Sequence, residues 1–440
     1  MKLRPFVLVR QHLPSHRIAD IPAEVRRQMH EARMAEGLKP SSKIAIGVGS
    51  RGIANMDVIA GAVVAWWKDQ GMQPFLFPAM GSHGSATAKG QADVLAHYGI
   101  SETTMGCPVR SSLAVVDLGQ TPEGIPTFMD RNAHRADKVM LCGRVKWHTD
   151  FAGEIESGLF KMMAIGIGKV TGAKTYHTFA YRIGMEAVIR SVGRQVLGTG
   201  KILGGLAILE DGNHDTGHLA AVRAEEMETK EPELLALAKS WMARIPVSPL
   251  DVLVVNEMGK NISGTGMDSK VINRDPKARY NPWPGEPIIN RVLVRDLSLH
   301  SYGNAIGIGM ADVIHSRLLK RVNKRATYVN AFTSGSLAAG RIPASFPSDR
   351  DCLEALWSTV GKLDPQEVTL GWIRNTQDLS LLAFTDNLLP AIEANPNLEV
   401  LGPARELEFD ERGDLVDWFE IKTRDEEPSD RLSTPVLDPC

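Results

Sequence analysis

Lysines and histidines set in a glycine-rich stretch are the residues of this sequence best suited to chemistry. Residues 146–162 read Lys-Trp-His-Thr-Asp-Phe-Ala-Gly-Glu-Ile-Glu-Ser-Gly-Leu-Phe-Lys-Met, and Lys174-Thr175-Tyr176-His177 follows. Lys161 comes after Ser157-Gly158-Leu159-Phe160 and before the apolar residues 162–167, which predicts partial desolvation. Desolvation lowers a lysine pKa and makes its amine a usable nucleophile or attachment point. His148 and His177 supply imidazoles, which ligate transition metals when neutral and move protons near neutral pH. The plainer alternative is that these are polar residues scattered through a loop.

Two further loops carry suitable groups. Gly49-Ser50-Arg51-Gly52 offers backbone N–H groups at a helix start and one fork-shaped cation, which suits a phosphate or carboxylate. It lacks the Gly-Lys-Ser/Thr of a Walker A loop, and Gly47-Val48-Gly49 is only a fragment of a dinucleotide fingerprint. Gly81-Ser82-His83-Gly84-Ser85 places a histidine among residues too small to bury it, a setting for a general acid or base or simply for a surface histidine.

These loops need a scaffold, and the apolar runs predict one. Residues 43–49 and 74–80 read as buried strands, each followed by a helix, at 56–70 and 87–98. Strand–loop–helix repeated in this way predicts a parallel sheet, whose ligands collect at the carboxyl ends of its strands. Further strands are expected at 113–118, 138–142 and 202–209, with a helical stretch at 219–242 broken at Pro232. The charge run 223–230 reads as a solvated helix face. Two prolines in Ile245-Pro246-Val247-Ser248-Pro249 suggest a linker. A second α/β unit then carries strands at 252–255, 291–297 and 368–373. Residues 398–422 alternate like a β-hairpin around Asp410–Asp414, and the polar remainder reads as loose. The expected fold is therefore two α/β domains, 1–248 and 249–397, with mainly parallel sheets around an interdomain cleft. The segment 398–440 is expected to pack back on the N-terminal domain.

Composition narrows the function. A 440-residue chain with 43% apolar residues and a net charge of −2 can bury a large core and presents no strong field to nucleic acid or an acidic membrane. Its four cysteines, Cys107, Cys142, Cys352 and Cys440, show neither zinc-ribbon spacing nor a disulfide framework, which points to a reducing compartment. The most apolar window, 58–67, is too short to span a bilayer. A soluble, cytoplasmic protein is expected.

The chemical residues, taken in order, resemble the nickel-pincer lactate racemase family. Gly81-Ser82-His83 is similar to its first catalytic-histidine loop. Trp147-His148, Phe151-Ala152-Gly153 and Ser157-Gly158…Lys161 are similar to its His-Phe-Ala-Gly…Gly…Lys motif, and His177 follows Lys161 at the family interval. The resemblance implies a nickel-pincer nucleotide attached covalently through Lys161, with His177 as the nickel ligand. His83 and His148 would alternate as acid and base on a 2-hydroxy acid. One would take the hydroxyl proton while the cofactor accepts hydride from C2, and return of the hydride on either face inverts the centre. Ser50 and Arg51 would bind the cofactor phosphate or, for Arg51, a substrate carboxylate, which Lys270 would grip. Dedicated biosynthetic enzymes would have to supply the cofactor.

The chain also departs from the family. Thirteen positions separate His148 from Lys161, more than in lactate racemases, and Glu154 and Glu156 lie between them. Gly266 and Met267 stand where lactate enzymes have a Tyr-Gln pair, and an acidic residue upstream of the family arginine is absent. A 2-hydroxy acid larger or more polar than lactate is the expected substrate. Two other classes compete: a zinc- or iron-dependent hydrolase or lyase using the same histidines with Asp150 or Glu154, and a non-catalytic nucleotide or cofactor carrier. In the racemase reading, Lys270 and the loop 261–268 follow the Pro246/Pro249 linker. Hinge motion near residues 245–250 would then bring them to the cofactor residues.

Overall fold

The apolar runs become strands, and the strands sort into two sheets. The computed structural model describes residues 3–49 and 52–419. Ser50, Arg51 and the residues after 419 lie outside the described residues. The chain divides into two units, one of residues 14–242 and one of residues up to 13 joined by those from 243 onward. The first strand, β1 (Phe6–Gln11), belongs to the second of these.

The unit 14–242 contains β2 (Lys43–Val48), β3 (Gln73–Pro78), β4 (Val115–Gln120), β5 (Pro126–Asp130), β6 (Lys138–Arg144), β7 (Ile202–Glu210) and β8 (Thr216–Arg223). Five of them form a sheet ordered β3-β2-β6-β7-β8, parallel except for β8, while β4 and β5 make a separate antiparallel ribbon. Both faces of the sheet are covered. Along β2, Ile44, Ile46 and Val48 enter one apolar core with Trp67, and Ala45 enters another with Leu141, Phe160 and Tyr176. That two-sided burial is why β2 reads as an unbroken apolar run instead of an alternating one.

Residues 219–242 are not one broken helix. Their first part lies in β8, with Leu219 and Val222 buried, and the helix is Met227–Trp241 with Pro232 inside it. The alanines of Leu219-Ala220-Ala221-Val222 favour a helix locally, but pairing with β7 overrides that preference. The charge run 223–230 lies largely at the surface across the strand end and first helical turn.

The second unit holds β9 (Leu250–Met258), β10 (Ile289–Leu297), β11 (Val313–His315), β12 (Ala344–Phe346), β13 (Leu370–Ile373), β14 (Leu381–Thr385) and β15 (Leu398–Val400). With β1 they form one sheet, ordered β12-β11-β10-β9-β13-β14-β1-β15. The five strands β9–β13 run parallel, and β14, β1 and β15 complete the sheet in antiparallel fashion.

The division between the units therefore falls earlier than expected. Ile245 and Val247 are buried in the core of the second unit, so this unit begins at Ala243 and takes in the proline-containing stretch. Residues 398–419 belong to the second unit, where β15 pairs with β1 and Trp418 and Phe419 pack against Trp372. The hairpin expected there is reduced to a turn closed by a single Phe409–Leu415 bridge. Among the described residues no helix is long and apolar enough to cross a membrane.

Candidate active site

Three of the chemical segments leave carboxyl ends of neighbouring parallel strands in the unit 14–242. The loop after β2 leads to Ser50 and Arg51, the loop after β3 carries His83, and the loop after β6 carries His148. Arg144 at the end of β6 pairs with Glu210 at the end of β7 and donates to the Gly52 carbonyl at 3.0 Å. Glu210 in turn accepts from the Ala54 N–H at 2.8 Å, so residues 52–54 are anchored to the ends of β6 and β7.

Lys161 and His177 share one helical element that is broken twice. A short turn, Leu159–Lys161, runs into a π-turn, Met162–Gly166, and the helix Lys169–Ile183 follows. An unbroken helix would place residues sixteen apart about 24 Å from each other. Here Lys169 adopts a φ of +55°, and the helix it opens packs back on the π-turn. Lys161 consequently lies close enough to His177 for its charge to act there. Burial pushes the His177 imidazole below its usual pKa and the Lys161 ammonium pushes it further, so at neutral pH the ring is neutral with a lone pair for a metal. Both side chains are half-buried.

The other two loops are tied to this element. The Gly81 N–H donates to the Gly166 carbonyl at 3.1 Å, joining the His83 loop to the π-turn. Lys146 and Ser157 form an antiparallel bridge, which closes the His148 loop at the foot of the Lys161 turn. His148 stacks on Phe151 with ring centroids 4.4 Å apart, and its Nδ1 accepts from the Asp150 N–H at 3.1 Å.

The insertion between His148 and Lys161 is held by carboxylates. Glu156, fully buried, accepts from the His148 backbone N–H and from that of Gly153 at 3.1 Å, and pairs with Lys239 at 2.6 Å. Glu186 accepts from the N–H groups of Glu154 and Ile155. Glu231, from the helix Met227–Trp241, reaches the start of the Lys161 turn, where Oε2 accepts from the Phe160 N–H at 2.9 Å. A Cβ on residue 158 would collide with this carboxylate, which explains the glycine of Ser157-Gly158. Burial raises the Glu231 pKa to about 7 against the opposing pull of the Phe160 and Leu159 N–H groups. Glu231 escapes a sequence reading because it adjoins an ordinary surface charge run.

Lys270 lies in the second unit, in the long connection after β9. It is 4% exposed, and its ammonium sits 2.9 Å from the centroid of the Trp283 ring. Gly266 has a φ of +78° and lies against the Ile306 carbonyl with no room for a Cβ, while Met267 is fully buried. The two positions that depart from the lactate enzymes thus serve the packing of this loop.

Metal chemistry elsewhere finds little support. Among the described residues, the cluster whose ligand atoms lie close enough to share an ion is His315, Asp349 and Asp414; no such cluster contains His83, His148 or His177. Its carboxylates are already engaged: Asp349 by Arg295 at 2.7 Å and Arg317 at 3.2 Å, Asp414 by Arg317 at 3.1 Å. His315 accepts from the Arg317 N–H through Nδ1 and meets Asp414 through Nε2 at 2.7 Å, so neither nitrogen offers a lone pair. Glu154, a candidate ligand in the hydrolase reading, pairs with Arg190 at 2.7 Å and is largely exposed. Cys107, Cys142 and Cys352 are buried, and burial pushes the thiols of Cys142 and Cys352 up to about 12.

No protein-family model matches the chain, and no curated protein matches it in sequence. Its fold does match solved structures. The lactate racemase apoprotein from Thermoanaerobacterium thermosaccharolyticum superposes with a TM-score of 0.51 at 14% identity, covering 82% of this chain and 98% of that one. A structural-genomics protein from Thermotoga maritima superposes with a TM-score of 0.50 at 13% identity, covering 80% and 96%. At such identities the likeness establishes a shared two-domain α/β fold.

Proposed function

We propose that the protein is an isomerase that inverts C2 of a 2-hydroxy acid. The observation carrying this reading is the convergence, within one unit, of the His83 loop, the His148 loop and the Lys161–His177 element. The fold likeness to a lactate racemase apoprotein supports it. The residues suit a nickel-pincer nucleotide: Lys161 offers an amine for covalent attachment beside His177, whose neutral imidazole is a nickel ligand. When bound, that group supplies a reversible acceptor for the C2 hydride.

The protein's own side chains would do the rest. His83 and His148, half-buried at their loops, would take the hydroxyl proton in one direction and return it in the other. Lys270 would hold the substrate carboxylate, and Ser50 with Arg51 would take the cofactor phosphate. Because residues 266 and 267 are absorbed into packing, a 2-hydroxy acid other than lactate is the better substrate.

The test is full-length protein made alongside the cofactor-building enzymes and screened on single enantiomers of 2-hydroxy acids for loss of optical rotation. Lys161→Ala should abolish the added mass in intact-protein mass spectrometry, and His177→Ala should lower bound nickel. His83→Ala and His148→Ala should keep nickel yet lose about 10²–10⁴-fold in turnover. An adduct on another lysine, or zinc in place of nickel, would overturn the reading.

A further inference from the structure

Four separated segments of the unit 14–242 meet at one ammonium group that the proposed reaction does not use. Lys169 is fully buried and pairs with the equally buried Asp130 at 3.2 Å. Its Nζ also donates to the Pro78 carbonyl at the end of β3 and to Gln91 Oε1 at 3.1 Å. Gln91, likewise fully buried, donates through Nε2 to the Gly81 carbonyl at 2.8 Å and the His83 carbonyl at 3.3 Å. The same stretch of chain that bears Lys169 accepts from the Gly81 N–H through Gly166 and from the Asp130 N–H through Ile167 at 2.8 Å.

We propose that Lys169 and Gln91 are positioning residues that set the His83 loop against the Lys161–His177 element. The argument rests on donor and acceptor chemistry. An ammonium can only donate, so it forces the amide oxygen of Gln91 to face it. The amide nitrogen then must face the loop, where it finds two carbonyl oxygens. With the cation gone, the amide is free to turn over and oppose oxygen to oxygen. Lys169 is also the residue whose left-handed backbone folds the helix back, so one residue fixes both sides of the gap. Burial holds its pKa below the ordinary lysine value, against the opposing pull of Asp130.

This inference relies on the role proposed for His83, and its test separates the two. Lys169→Met leaves Asp130 without its partner and is expected to destabilise the whole unit, so Gln91 is the better target. Gln91→Met removes the grip on the loop while leaving the Lys169–Asp130 pair; Gln91→Glu keeps the contact with Lys169 but takes away the donor. In cofactor-free full-length protein, amide exchange across residues 80–86 should rise about tenfold in both variants, with peptides from β6 and β7 unchanged. In loaded enzyme, kcat should fall about 10–100-fold with KM within about twofold. Unchanged exchange at 80–86, or a rise spread over the whole unit, would overturn the positioning role. A wild-type enzyme inactive on every 2-hydroxy acid, with the local exchange response intact, would overturn the functional reading alone.

Discussion

Glu231 keeps a carboxyl group where water does not reach, and the choice has a pH signature. Its native pKa of about 7 stands above the roughly 4.3 of an unfolded glutamate. Between those values the folded chain holds a proton that the unfolded chain has released, so this residue's contribution to stability declines as pH rises from about 4 to about 7. The loss is at most about 4 kcal/mol. Glu231→Gln retains an oxygen for the Phe160 N–H and has no proton to lose. Its melting temperature relative to the parent should therefore be more favourable at pH 8 than at pH 4.5. Parallel melting curves across that range would refute the assignment. Glu231→Leu should be destabilised at both, because it leaves the N–H groups that start the Lys161 turn without an acceptor, at about 1–3 kcal/mol.

At the scale of elements, the His148 loop behaves as one piece clipped by Glu156. Glu156→Leu would strip the acceptor from the His148 and Gly153 N–H groups and remove the carboxylate that pairs with Lys239. Chymotrypsin should then cut after Phe151 about tenfold faster, whereas Glu156→Gln should cut at an intermediate rate. A cleavage rate equal to the parent's in the leucine variant would rule out the clip. Much of this level was legible beforehand. The strands at 43–48, 138–144 and 250–258 announce themselves because both faces are buried, leaving runs of Ile, Val and Leu with turn residues at their ends. The order of His83, His148, Lys161 and His177 is a linear property and survives folding. What the chain hides is whatever distant pairing decides. The 219–223 stretch looks helical until β7 claims it, and Lys169 looks like any lysine until Asp130, Gln91 and Pro78 surround it. Glu154 and Glu156 signal an unusual insertion, but only the structure separates the exposed one from the buried clip.

For the molecule as a whole, the decisive feature is that β1 completes the second unit's sheet from the opposite end of the chain. Val7 and Val9 enter one core of that unit, Phe6 enters another, and β1 lies between β14 and β15. A fragment starting at Ala243 should fail to give a cooperative melt, because β14 is left with an unpaired edge and both cores lose side chains. Supplying residues 3–13 as a peptide, or fusing them to the fragment, should restore it. The fragment 14–242 should melt cooperatively without help, since its five-stranded sheet is contained within it. A fragment from 243 onward that folds as well without residues 3–13 as with them would refute this account.

That swap also has a cost in time during biosynthesis. Ribosomes add roughly 5–20 residues per second, so the Phe6–Gln11 segment emerges roughly 20–75 s before the β14 residues that will receive it. Throughout that interval Phe-Val-Leu-Val is an adhesive, strand-prone stretch with no native neighbour, hanging from a nascent chain whose next 230 or so residues are already able to fold. Synonymous codons that slow synthesis ahead of residue 381 should therefore lower the soluble yield without changing a single residue of the product.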